Sequence, residues 1–131
     1  MYCSIIITGH LIASTMHTKN AVGAIYRLRE FGIPLHDIEQ TLLAVTAQRL
    51  VDLVCPFCGE HCSLFCRKHR KIRRAAVHEL LYGDELSDAI QSVQSGRKTH
   101  HYYTLQHAIR KGVALGFLPP RLLGDKGGEN E

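Results

Sequence analysis

Along most of the chain, apolar positions fall three or four apart, the spacing that lines one face of a helix. From about His17 to Phe31, Ala21, Ile25 and Leu28 share such a face while Arg27, Arg29 and Glu30 fall off it, and Gly32 supplies a stop. Pro34 suits the first position of a second, short helix that buries Leu35, Ile38 and Leu42, with Asp37 and Glu39 near its positive end. Thr46 is placed to cap a third helix, from which Leu50, Val51 and Val54 face inward.

The same spacing returns at Ile72, Ala75, Ala76, Glu79 and Leu80 and stops at Gly83. Leu86, Ala89, Ile90 and Val93 predict a helix over 85–95 that ends at Gly96, and Tyr102, Leu105 and Ile109 predict another over 99–111. Pro119-Pro120 breaks the segment that follows. Residues 1–16, with Ile5-Ile6-Ile7 and Leu11-Ile12-Ala13, fit a short strand, an irregular arm or an over-extended start equally well. The expected fold is mainly α: a small helical bundle with a helix-turn-helix-like segment and an embedded zinc knuckle. Its parts are an N-terminal arm (1–16), a helix-turn-helix-like region (17–54), a zinc knuckle and basic helix (55–82), a C-terminal helical region (83–120) and a flexible tail (121–131). Residues 17–120 are expected to form one compact unit, because 131 residues with 45% hydrophobic content supply one modest core.

The cysteines change this picture most. Four of the five lie between Cys55 and Cys66, too close together for two relaxed disulfides but suited to four ligands on one ion. Cys55-Pro56-Phe57-Cys58-Gly59 lets two thiolates point into one turn while the glycine folds the backbone away. Cys62 and Cys66 share one face if a helix begins near His61. Cys55, Cys58, Cys62 and Cys66 then close a tetrahedral shell around Zn2+, which leaves no open position for water and makes the ion structural. His61 or His69 in place of one cysteine fits the spacing too, and four buried free thiols are the plainer alternative.

Charge adds a second feature. The net charge of +4 is modest, but Arg67, Lys68, Arg70, Lys71, Arg73 and Arg74 crowd into one short run. These cations balance a thiolate-rich metal site, bind phosphates, or form a solvated face. On the helix-turn-helix reading of residues 35–54, Gln48 and Arg49 point away from the core and read adenine and guanine edges, while the 67–74 run holds DNA phosphates. A short helical hairpin with a polar outer face fits those residues without DNA. His100-His101-Tyr102-Tyr103 lacks an accompanying acidic cluster, and no P-loop, dinucleotide fingerprint or HExxH motif is present, so no enzyme is expected. No stretch approaches the roughly 20 apolar residues of a membrane-spanning helix, and no secretory leader is evident, so the expectation is a cytoplasmic protein without membrane contact.

Ala24-Ile25-Tyr26-Arg27-Leu28, Gly32-Ile33-Pro34-Leu35, Ile38 and Val45-Thr46-Ala47-Gln48-Arg49-Leu50-Val51 together resemble the DNA-binding helices of FlhC-like zinc-containing transcriptional activators, the flagellar and mobile-element regulators. Those activators carry their four cysteines as two pairs near the C-terminus, whereas here the cysteines directly follow the resembling segment. The resemblance implies transcription activation with a small partner subunit and Gln48 and Arg49 on the DNA-facing helix. The expected function is therefore a zinc-stabilised transcriptional regulator that binds double-stranded DNA, with a protein partner or a second copy of itself. A zinc-stabilised protein-interaction adaptor and an RNA-binding zinc protein are the alternatives.

Overall fold

The computed structural model describes residues 2–7, 10–96 and 102–124. In chain order the elements are strands β1 (Tyr2–Ile7) and β2 (His10–Thr15), helices α1 (Ala21–Glu30) and α2 (Leu35–Thr41), strand β3 (Leu42–Asp52), helix α3 (Leu64–His69), strand β4 (Arg74–Tyr82), helices α4 (Gly83–Ser95) and α5 (Leu105–Ala114), and a 3-10 turn at Pro120–Leu123. The strands form one sheet in the order β2-β1-β3-β4. β1 pairs antiparallel with β2 from Tyr2↔Thr15 to Ile7↔His10, and antiparallel with β3 with a register shift between Ser4 and Ile5.

The fold is thus mixed α and β, and the expectation of a mainly α bundle with a helix-turn-helix is wrong. The third helix expected over 46–54 is strand β3. Val45 and Ala47 are buried two apart, as a strand requires, and Leu50, assigned inward on the helical reading, is 61% exposed. Thr46 caps nothing: its hydroxyl donates to the Glu79 carbonyl oxygen of β4 at 3.2 Å. The expected basic helix reaching Gly83 is likewise divided into the short α3 and strand β4. Along β4, Ala75, Val77, Glu79 and Leu81 are buried or half-buried while Arg74, Ala76, His78, Leu80 and Tyr82 are exposed, a period of two.

The chain divides into two compact units, Met1–Gln48 with His78–Leu105, and Arg49–Val77 with Gln106–Glu131. In the first, Ile25 and Leu28 of α1, Ile38 of α2, Val45 and Leu81 of the strands, and Leu86, Ile90 and Val93 of α4 make one core. Each such side chain contributes roughly 1.5–3 kcal/mol by burial. Asn20 begins α1 by accepting the Gly23 N–H at 2.8 Å. The buried Glu79 carboxylate accepts the backbone N–H groups of Ala21 and Leu105, the first residues of α1 and α5.

The second unit has a smaller core, Val51, Ile109 and Leu118 with Leu53, Val77, Val113 and Leu122 packed on it. A core of this size leaves much of the unit to backbone and side-chain polar ties. Leu53 N–H donates to Arg73 O and Val54 N–H to Phe117 O, both at 2.9 Å, and these bonds fix the stretch leading into the cysteines. Among the described residues, no helix is long and apolar enough to cross a membrane.

Candidate metal centre

The first two cysteines are set by a tight turn. Cys55 N–H donates to Gly59 O at 3.1 Å and Gly59 N–H to Cys55 O at 2.8 Å, so the chain reverses within five residues. Gly59 holds φ at +69°, a left-handed conformation that a side chain disfavours. The other two come from the start of α3. Ser63 caps that helix, its Oγ accepting the Cys66 N–H at 3.2 Å, which fixes Cys66 in the first turn with Cys62 just ahead of the cap. Cys58 Sγ lies 3.9 Å from the same Ser63 oxygen, linking the two halves.

The four sulfurs of Cys55, Cys58, Cys62 and Cys66 all lie within 4.8 Å of one another, and Cys55 and Cys66 are 3.4 Å apart. Zinc–sulfur bonds of about 2.3 Å in a tetrahedron place sulfurs about 3.8 Å apart, so the cluster has the dimensions of such a shell. Neither His61 nor His69 belongs to it. His69 instead packs against Phe65 with the rings tilted by 41° and their centres 4.4 Å apart, and His61 lines a neighbouring cavity.

Proximity sets the four thiols against one another. The Phe57 backbone N–H, aided by Cys58 N–H and the Cys66 and Arg70 side chains, pulls Cys55 down to about 6 against the cost of its burial. Its hydrogen bond to Cys55, and then desolvation, push Cys66 up to about 12. Cys62 is raised as well, chiefly by desolvation. One thiolate is therefore ready at neutral pH, while Cys62 and Cys66 require a cation to lose their protons.

The basic run is less uniform than its sequence. Arg70 is half-buried and donates to Ile72 O at 2.7 Å, Leu53 O at 3.1 Å and Arg73 O at 3.4 Å. Arg74 pairs with Asp52 at 2.9 Å in an exposed salt bridge. Arg67 and Lys68 lie exposed on α3, and Lys71 and Arg73 lie exposed between α3 and β4. Gln48 and Arg49, expected on a recognition helix, are consecutive exposed residues of β3, where neighbours project to opposite faces and cannot share one groove. His100 and His101, and the tail from residue 125, lie outside the described residues. The sequence reading named Glu79 on a helical face and Arg70 in the basic run, and missed the helix caps that the one makes and the carbonyl clasp that the other makes. The signal for Glu79 was present, since Ala75, Val77 and Leu81 share its parity.

The family model for type II/IV secretion system proteins matches residues 2–119. The competence protein ComGA of Bacillus subtilis is 54% identical over 112 residues, covering 85% of this chain and 32% of the relative. ComGA of Halalkalibacterium halodurans is 35% identical over 86% of this chain and 31% of the relative. The type II secretion system ATPase E of Vibrio cholerae is 56% identical over 54 residues, 41% of this chain and 11% of the relative. The chain thus spans about a third of the length of the two competence proteins.

These matches overturn the resemblance to FlhC-like activators, which rested on short helical segments, one of them now a strand. With it go the DNA-binding transcriptional regulator and the nucleic-acid partner. The expectation of no enzyme is overturned too, since these matches lie among secretion proteins of which one is by name an ATPase. The chain belongs to the type II/IV secretion system protein family.

Proposed function

We propose that this chain works as a segment of a competence or type II secretion ATPase, acting with protein partners of that machinery in the cytoplasm. The observation that carries the reading is 54% identity across 85% of the chain with a competence protein, supported by 56% identity over a shorter stretch with a named secretion ATPase. The chain contains no GxxxxGK[ST] loop, so in this reading the phosphates of ATP are cradled by residues outside it. Its own part is structural: a sheet and helices that hold a metal knuckle. A cytoplasmic setting supplies ATP and keeps the cysteines reduced.

Cys55, Cys58, Cys62 and Cys66 hold one structural Zn2+ in this proposal. Sulfurs within 4.8 Å of one another support it, as does the small apolar core of the unit that carries them. The ion supplies a cross-link between the Cys55–Gly59 turn and α3, with no substrate position left open.

The test is a chimera in which this chain replaces the matched third of the Bacillus subtilis competence protein. Purified chimera is expected to hydrolyse ATP, and cells carrying it are expected to become competent. A folded, metal-loaded chimera inactive in both assays overturns the reading.

A further inference from the structure

The knuckle exposes apolar side chains near a cavity lined by exposed cations. Phe57, Leu64, Phe65 and Ile72 are 86, 84, 75 and 71% exposed. Phe57 stands in the Cys55–Gly59 turn, and the approach of Cys58 to Ser63 at 3.9 Å brings that turn beside the start of α3, where Leu64 and Phe65 lie. Ile72 lines a cavity of about 930 Å³ whose wall also carries Arg67, Lys71, Arg73 and Arg121. Among the described residues these four cations make no ion pair, whereas Arg74 is paired with Asp52 and Arg70 is engaged by backbone carbonyls. Of the two carboxylates in the wall, Asp52 and Glu60, the first is already taken.

We propose that this surface docks an acidic, amphipathic segment of a protein partner, its carboxylates entering the cavity and its apolar side chains covering Phe57, Leu64 and Phe65. The proposal deepens the reading of the chain as part of a secretion machinery and rests on it for the existence of a partner, not for the partner's chemistry. Charge complementarity selects the acid: unpaired cations lining a concavity favour an anion that can enter it. The apolar side chains select a polypeptide, because a free phosphate fills the cavity and leaves them in water. A bilayer presents a broad, flat headgroup plane, whereas a polypeptide segment can follow the concavity that these exposed cations line. One acidic segment with an apolar face satisfies both features.

The experiment titrates the zinc-loaded chain with a labelled helical peptide carrying Glu on one face and Leu on the other. Parallel arms use the same peptide with Lys for Glu, inorganic pyrophosphate, and vesicles of neutral and anionic phospholipid. The acidic peptide is expected to bind and the Lys peptide is not. Arg73→Glu with Arg121→Glu is expected to weaken binding by about tenfold or more, and Phe57→Ser with Leu64→Ser likewise, each with zinc content unchanged. Equal binding of both peptides, or affinity that survives either double substitution, overturns the proposal. So does binding confined to pyrophosphate or to anionic vesicles. A chimera that hydrolyses ATP while the chain ignores the acidic peptide sinks the docking surface alone, and peptide binding with an inactive chimera sinks the functional reading alone.

Discussion

The Glu79 carboxylate accepts the backbone N–H of Leu105 at 2.7 Å, and its other oxygen accepts that of Ala21, so one buried acid on β4 closes the first turns of both α5 and α1. Helix starts leave N–H groups without intrahelical partners, and a negative charge there also favours the helix dipole. Glu79→Gln keeps the shape but turns a donor toward an N–H group. It is expected to lower unfolding free energy by roughly 1–3 kcal/mol, read as a shift in denaturant midpoint. An unchanged midpoint would show that water caps these helices equally well.

Glu79 also explains why β4 was illegible. Ala75, Val77 and Leu81 alternate inward with it, but Ile72, Ala75-Ala76 and Glu79-Leu80 also recur three and four apart, which gives a convincing helical stripe. In β3 the trouble was different: Leu42, Val45, Ala47 and Val51 are buried at spacings that mix three, two and four. Where one face of an amphipathic helix meets one core, the pattern held. Leu86, Ala89, Ile90 and Val93 are buried in α4, and Gly96 ends it. The four cysteines stood out by spacing alone, and they converge in the structure. The basic run was legible as charge but not as roles, because Arg70 turns inward only where three carbonyls happen to meet it.

Zinc binding has a direct stoichiometric test. Cys55→Ser, Cys58→Ser, Cys62→Ser and Cys66→Ser are each expected to reduce bound zinc from one equivalent to a small fraction, since an alcohol is a poor substitute for a thiolate ligand. Cys3→Ser, in β1, is expected to leave it unchanged. Metal analysis of the purified variants decides the matter, and full loading in any of the first four would remove that residue from the shell.

The metal-free chain should titrate in separated steps. Cys55 loses its proton near pH 6, while Cys66 keeps its own until about pH 12. For an acid whose folded value lies below the ordinary 9.0, the stabilisation is full above that value and fades as pH falls through 6. For Cys66 the sign reverses, with stabilisation full below 9.0 and lost as pH rises through about 12. Thiolate ultraviolet absorbance against pH should show one thiolate appearing near 6. A single step for all the thiols near the ordinary value would rule out this arrangement.

Gly112 on α5 approaches Leu118 so closely that an added Cβ would lie 2.7 Å from its Cδ1 and 2.8 Å from its Cγ. Leu118 is 4% exposed in the smaller core and has little room to yield. Gly112→Ala is therefore expected to destabilise the second unit by roughly 1–3 kcal/mol despite improving helix propensity. A higher melting temperature for the variant would show that the leucine repacks freely.

Arg70 separates a structural cation from its exposed neighbours. Its guanidinium bonds the carbonyls of Leu53, Ile72 and Arg73, joining the chain just before the cysteines to the chain just after α3. Arg74, by contrast, makes an exposed pair with Asp52, worth at most about 1 kcal/mol. A lysine at position 70 keeps the charge but offers a single nitrogen where Nε and a terminal nitrogen now act together. Arg70→Lys is thus expected to cost roughly 1–3 kcal/mol and to speed zinc loss to a chelator, whereas Arg74→Lys changes neither measurably. If the two substitutions behave alike in chelator-exchange kinetics, the clasp contributes only charge, and the ends of the metal-binding segment must be held by Leu53 N–H to Arg73 O and its neighbouring backbone bonds alone.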